Sequence, residues 1–128
     1  SGINATFSGA VTAAANRFEQ PDSCIQLAGN GGHLQLPSGV YFNGGDFTVN
    51  AWVRKSSNNS WSRLFDFGNG QANQNVLLAL TSGTTGRPAS QTFTGTTGGP
   101  VLTSNQVLPD NVWQMITYSW SNGGGQLM

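Results

Sequence analysis

Apolar and polar side chains alternate with a period of two through several stretches of the chain. Over 47–55, Phe47, Val49, Ala51 and Val53 fall on one face and Thr48, Asn50, Trp52 and Arg54 on the other. Successive side chains of a strand point to opposite sides of its sheet, so this alternation predicts a strand with one buried face. Segment 112–120 is a second strong strand. Segments 24–28 and 33–36 alternate more briefly on either side of Asn30-Gly31-Gly32, a turn sequence, and are predicted to form a hairpin. Trp61 is predicted to open a strand over 61–67. The short apolar run 76–80 is predicted to be a strand buried on both faces, and 89–93 and 101–103 are weaker strands.

Gly, Asn, Ser and Pro clusters separate these segments at 43–46, 56–60, 68–75, 81–86, 95–100, 109–111 and 121–125. Residues 1–22, with isolated apolar points at Phe7, Val11 and Phe18, are expected to be an irregular lead-in. Gln126-Leu127-Met128 reads as the opening of a returning strand. Seven or eight short strands at spacings of about ten residues predict an antiparallel all-β sandwich or barrel. Its expected core sets Phe47, Val49, Ala51 and Val53 against Leu64, Leu78 and Ile116.

Composition supports this reading. Charged residues make up 8% of 128, against about 25% in ordinary soluble domains. The Gly, Ser, Thr and Asn that replace them favour turns and weaken helix interiors. The length suits one domain. Five basic residues balance five acidic ones, and only Arg54 and Lys55 are adjacent, which excludes a phosphate-tracking surface and makes nucleic acid an unsuitable partner. No apolar run approaches the roughly 20 residues of a membrane span. The single cysteine, Cys24, excludes a disulfide within these residues.

The segments "IQLAGNGGHLQLP", "FTVNAWV", "WSRLFDFGNG" and "NVWQMITYSW" occur in an order that resembles the laminin G-like, concanavalin A-like jelly-roll family, over about 24–120. That resemblance implies a two-sheet antiparallel jelly-roll sandwich. Such modules serve in extracellular recognition of glycans or proteins, sometimes with calcium, and also occur as repeated units of adhesive or surface proteins. The family's module continues with a strand like L-Y-V-N-G, of which only the start falls before Met128. The expectation is one laminin G-like domain over 1–128, a fragment of a larger protein with its C-terminal strand or strands missing. The rest of the parent chain or a neighbouring subunit would then cover the open edge.

Catalytic chemistry finds little support. Glucanases of the superfamily need paired carboxylates, whereas the only glutamate is Glu19, in the lead-in. His33 is the only histidine, and one Cys with one His cannot make a zinc site. The glycine-bearing loop that opens at Gly68 follows a predicted strand but precedes no helix, so it is not a phosphate loop. An enzyme is not expected, and no cofactor is required. Calcium is the one ion the sequence allows, through Asp66, Asn69, Asn73 and Asn75, residue types that equally serve Asx turns. Trp52 with Asn50, and Trp61, are candidates for carbohydrate contact, because aromatic faces stack on sugar rings and amides read hydroxyls; core packing is the competing role. Asn4-Ala5-Thr6 and Asn58-Asn59-Ser60 are N-glycosylation sequons. Two functions are expected to compete at the cell surface or outside the cell. One is a lectin-like or adhesive module that binds glycans or extracellular proteins. The other is a structural unit of a fibre, matrix or appendage with a glycosylated surface.

Overall fold

The structure is a computed structural model that describes residues 4–42, 45–121 and 124–128. The turns expected at 43–46 and 121–125 lie partly outside the described residues. The chain forms two compact units, Ser1–Val40 and Tyr41–Met128, and among the described residues all regular structure is β.

In the first unit, β1 (Thr6–Ser8) pairs antiparallel with β4 (His33–Gln35), and β2 (Val11–Ala14) with β3 (Cys24–Leu27). The lead-in therefore supplies two strands. The predicted hairpin between 24–28 and 33–36 does not form, because each segment takes an N-terminal partner instead. Gly29, Asn30 and Gly31 all have positive φ, and Gly32 N–H donates to Gly29 C=O at 2.9 Å. That bond closes a tight four-residue turn, yet β3 and β4 belong to separate two-stranded sheets. Phe7 lies opposite Leu34 and Val11 opposite Leu27, apolar pairs of the kind that hold short ladders together.

The second unit contains β5 (Phe47–Val53), β6 (Arg63–Phe67), β7 (Val76–Ala79), β8 (Ala89–Thr94), β9 (Thr97–Gly98), β10 (Leu102–Thr103), β11 (Gln114–Ser121) and β12 (Gly124–Leu127). One sheet runs β12-β11-β5 and the other β10-β8-β7-β6, with β9 added on β8. They form an antiparallel jelly-roll sandwich. The core is Val53, Leu78, Leu108, Ile116 and Tyr118, surrounded by Phe47, Ala51, Leu64, Phe65, Val76, Leu80, Trp120 and Leu127. Phe42, Phe47, Phe65, Phe67 and Tyr118 make a continuous set of ring contacts inside it, with centroids 4.0–6.4 Å apart. β7 is buried along three of its four residues, as its uninterrupted apolar run predicts.

Tyr118 joins the two sheets. Its hydroxyl hydrogen-bonds the side chain of Ser90 on β8, and both residues are buried. Burial pushes the phenol above its ordinary value of 10.0, partly offset by that hydrogen bond.

Trp61 departs from expectation. It sits at φ 55° in a turn, and β6 starts only at Arg63. Ser62 explains the shift, since its N–H and hydroxyl both donate to Asn59 C=O, at 3.1 and 2.7 Å, and so close the turn before the strand can begin. At the other end, the returning segment is ordered as β12 beside Tyr118–Ser121, and Thr117 and Met128 exchange both backbone hydrogen bonds, at 2.8 and 2.9 Å. Beyond that pair, Gln114, Met115 and Ile116 border a groove, shared with Leu108, Leu127 and the segment 104–107.

Candidate functional site

The outward face of β5 and β11 carries the chemistry expected of a recognition surface. Register sets it in rows. Trp52 lies opposite Met115, Asn50 opposite Thr117, and Thr48 opposite Ser119, with Gln126 of β12 extending that last row. These positions alternate with Phe47, Val49, Ala51 and Val53, which point to the core, so burying one face forces the other outward. Trp52 is 48% exposed and Met115 55%, which leaves an apolar strip on an otherwise polar sheet.

The polar rows beside it are internally bonded. Thr117 donates its hydroxyl to Asn50 Oδ1 at 2.8 Å, and the Thr48 and Ser119 hydroxyls share a hydrogen bond of 3.0 Å. Asn50 Nδ2 stays on the donor side of that arrangement. Past Trp52, Arg54 places its guanidinium over the Trp113 ring, 5.4 Å from its centroid. Flat side chains held in register, with a half-exposed indole flanked by hydroxyls and an amide, suit contact with a sugar ring.

Of the three carbohydrate candidates, the fold brings Trp52 and Asn50 onto this face but not Trp61. Trp61 belongs to the turn before β6 in the other sheet, where Arg63 lies 5.5 Å over its ring. Met115 and Thr117 complete the face and were missed by residue-type reasoning. The alternation of 112–120, opposite that of 47–55, is the signal that could have found them.

The calcium candidates are close in space but already joined to one another. Asp66 Oδ1 accepts from Asn75 Nδ2 at 2.7 Å, and Asp66 Oδ2 from Arg63 Nε at 3.3 Å. Asn75 Oδ1 accepts from the backbone N–H of Asn73. Asn69 N–H donates to Asn73 C=O at 2.9 Å, and Asn69 Nδ2 to Gln74 Oε1 at 3.2 Å. Calcium needs six to eight oxygens, whereas here an amide N–H and a guanidinium face the one carboxylate. This donor set does not fit the ion as arranged. Gly68 is required beside it, because a Cβ there would run into the Asn75 side chain. Among the described residues no group of three or more His, Cys, Asp or Glu could hold a metal.

Both sequon asparagines are exposed. Asn58 Oδ1 accepts from Lys55 Nζ at 2.7 Å, and the same Nζ, on a side chain only 6% exposed, also pairs with Asp110. That contact occupies the amide oxygen of Asn58, while a glycan attaches through the nitrogen. Asn4 precedes β1, whose Thr6 is the third residue of the sequon. His33 Nδ1 rests on Gly31 C=O at 2.7 Å, and the Cys24 thiol donates to Ala15 C=O at 3.1 Å. Among the described residues no helix is long and apolar enough to cross a membrane.

A laminin G family model, described as the concanavalin A-like lectin/glucanases superfamily, matches residues 28–128. No curated protein and no solved structure gives a match to the chain.

Proposed function

The chain belongs to the concanavalin A-like lectin/glucanases superfamily, and from that premise we propose that it is a non-catalytic recognition module which holds glycans on the outward face of β5 and β11. One observation carries the reading: the half-exposed Trp52 is set beside Met115 and flanked by the Asn50–Thr117 pair. The indole would stack on a sugar ring while Asn50 and Thr117 meet its hydroxyls. The superfamily also includes glucanases, but retaining or inverting hydrolysis needs two carboxyl groups about 5–9.5 Å apart across the scissile bond. Here Asp66 is held by Arg63 and Asn75, Asp110 pairs with Lys55, and Glu19 lies in a turn at φ 61°. Sparse charge and two exposed sequons support a place outside the cell or on its surface.

The test is titration with a panel of oligosaccharides, read by tryptophan fluorescence and calorimetry. Trp52→Ala is expected to weaken binding at least about tenfold with little change in melting temperature, and the bound oligosaccharides should stay uncleaved. Unchanged binding by that variant, or cleavage of the sugar, would overturn the reading.

A second reading, as a structural unit of a surface assembly, draws on the groove beside Met115. Thr117 spends its N–H and C=O on Met128, and by the period of the ladder Met115 presents its own to the groove. Such an edge is covered by a further strand, from the rest of the parent chain or from a neighbouring subunit. Mass that rises with concentration in sedimentation would favour this role, and a monomer at all concentrations would count against it.

A further inference from the structure

We propose that the outward face is redox-controlled through Met115 and Met128, whose oxidation to sulfoxides by a peroxide weakens sugar binding and whose reduction restores it. This rests on the glycan-binding reading above and goes beyond it by assigning a modification site, and with it a control, to that face.

The placement of sulfur carries the argument. The chain has two methionines and one cysteine. Met115 lies opposite Trp52 on the outward side. Thr117, two residues on, points the same way and exchanges both backbone hydrogen bonds with Met128. Directly opposed residues of an antiparallel ladder share a face, so Met128 is outward as well, while its neighbour Leu127 packs on the core. Both methionines therefore stand on one face of one sheet, Met115 at 55% exposure and Met128 at 70%. They occupy diagonal positions of the ladder, about 7–8 Å apart and within reach of long side chains. Cys24 belongs to β3 of the first unit, where it is half-buried and gives its thiol to Ala15 C=O.

Exposure and residue type set the chemistry. The thioether sulfur attacks hydrogen peroxide, the O–O bond breaks, one oxygen is transferred to sulfur and the other leaves as water. Sulfur loses two electrons and the peroxide gains them. A flexible apolar side chain becomes a polar, chiral one. At Met115 this replaces the apolar flank of the Trp52 indole with a sulfoxide oxygen that holds water, so a sugar ring stacked there loses part of its apolar contact. At Met128 it adds a polar group at the end of the Asn50–Thr117 row. The amide and hydroxyls of the neighbouring rows do not react with peroxide, so the change is confined to the sulfurs of the face. Methionine sulfoxide reductases reverse it: the added oxygen leaves as water and two thiols of the reductant become a disulfide.

The experiment treats wild type, Met115→Leu, Met128→Leu and the double variant with hydrogen peroxide. Peptide mass mapping locates the added oxygen, and titration with an oligosaccharide that binds untreated wild type compares each protein with its own untreated form. Met115 and Met128 are expected to gain one oxygen each before Cys24 is modified. Wild type should then bind at least about threefold more weakly, with an unchanged melting temperature, and reductase treatment should restore its affinity. Met115→Leu should lose less than wild type, and the double variant should keep its own affinity through the treatment. Oxidised methionines with undiminished binding, methionines that resist peroxide, or a loss that persists in the double variant would overturn the redox control while leaving the face as a glycan site. If untreated wild type binds no oligosaccharide, the underlying reading fails and this inference with it.

Discussion

Asp66 shows how a single side chain can be committed before any ligand arrives. Its two oxygens are taken by Asn75 and Arg63, so an ion entering the loop would have to displace a carboxamide and face a guanidinium. Charge-assisted hydrogen bonds of this kind are stronger than neutral ones. The loop is expected to keep its shape without calcium. Chelation should leave the melting temperature unchanged, whereas Asp66→Ala should lower it, by about 1–2 kcal/mol of stability. A native-state ligand would stabilise by mass action, so a melting temperature that rises with added calcium and falls in chelator would show that the loop rearranges around an ion. Candidate residues were legible here as types, Asp and Asn in a glycine-bearing loop. Their mutual bonding was not, because it depends on where β6 and β7 place the two ends of the loop.

At the level of elements, β5 and β11 are the frame of the sandwich. Their seven paired positions align Phe47 with Trp120, Val49 with Tyr118 and Ala51 with Ile116 on the inner side. One slip in register would exchange the core and solvent faces of β5. Val49→Asp would put a carboxylate opposite Tyr118. An unpaired charge there costs several kcal/mol, comparable to the whole stability of a domain. Thermal or denaturant unfolding of Val49→Asp should show no cooperative transition, and a soluble variant that melts cooperatively would refute the inward placement of Val49. The same alternation that made β5 plain in the sequence also put Trp52 and Asn50 outward. Trp61 could not be read the same way, since a turn closed by Ser62 and Asn59 removed it from its strand. The hairpin between 24–28 and 33–36 was misjudged for a related reason, as local turn residues cannot reveal that earlier segments compete for both strands.

Across the whole sandwich, the bond from Tyr118 to Ser90 links one sheet to the other through the core. Gly125 packs closely beside it, since a Cβ there would meet the Tyr118 hydroxyl at 3.0 Å. Burial raises the Tyr118 pKa above 10.0, which ties stability to alkaline pH. Below pH 10 both folded and unfolded chains hold the phenolic proton, and the contribution is complete. As pH rises further the unfolded chain ionises first, so it binds fewer protons and stability falls until the folded-state pKa is passed. Wild type should therefore lose melting temperature more steeply than Tyr118→Phe as pH rises above about 10. Near neutral pH, Tyr118→Phe should cost about 1 kcal/mol, with Ser90 left unpartnered. Parallel alkaline melting profiles for the two proteins would show that this phenol is not the titrating group.

The sequence by itself determined the all-β class, the two principal strands, the buried run of β7 and most of the core, because each follows from a period of two or from an apolar run within a single segment. It also determined the sparse charge of the chain. Only the tertiary structure decided what lies opposite what. The pairing of Trp52 with Met115 joins residues 63 positions apart. Tyr118 reaches Ser90 across two sheets, and Lys55 finds Asp110 with Asn58 beside it. The physical reason is that backbone preference and side-chain alternation act over a few residues. A recognition face is instead made by strands distant in sequence, and its register is chosen by how the buried sides of all of them fill one core.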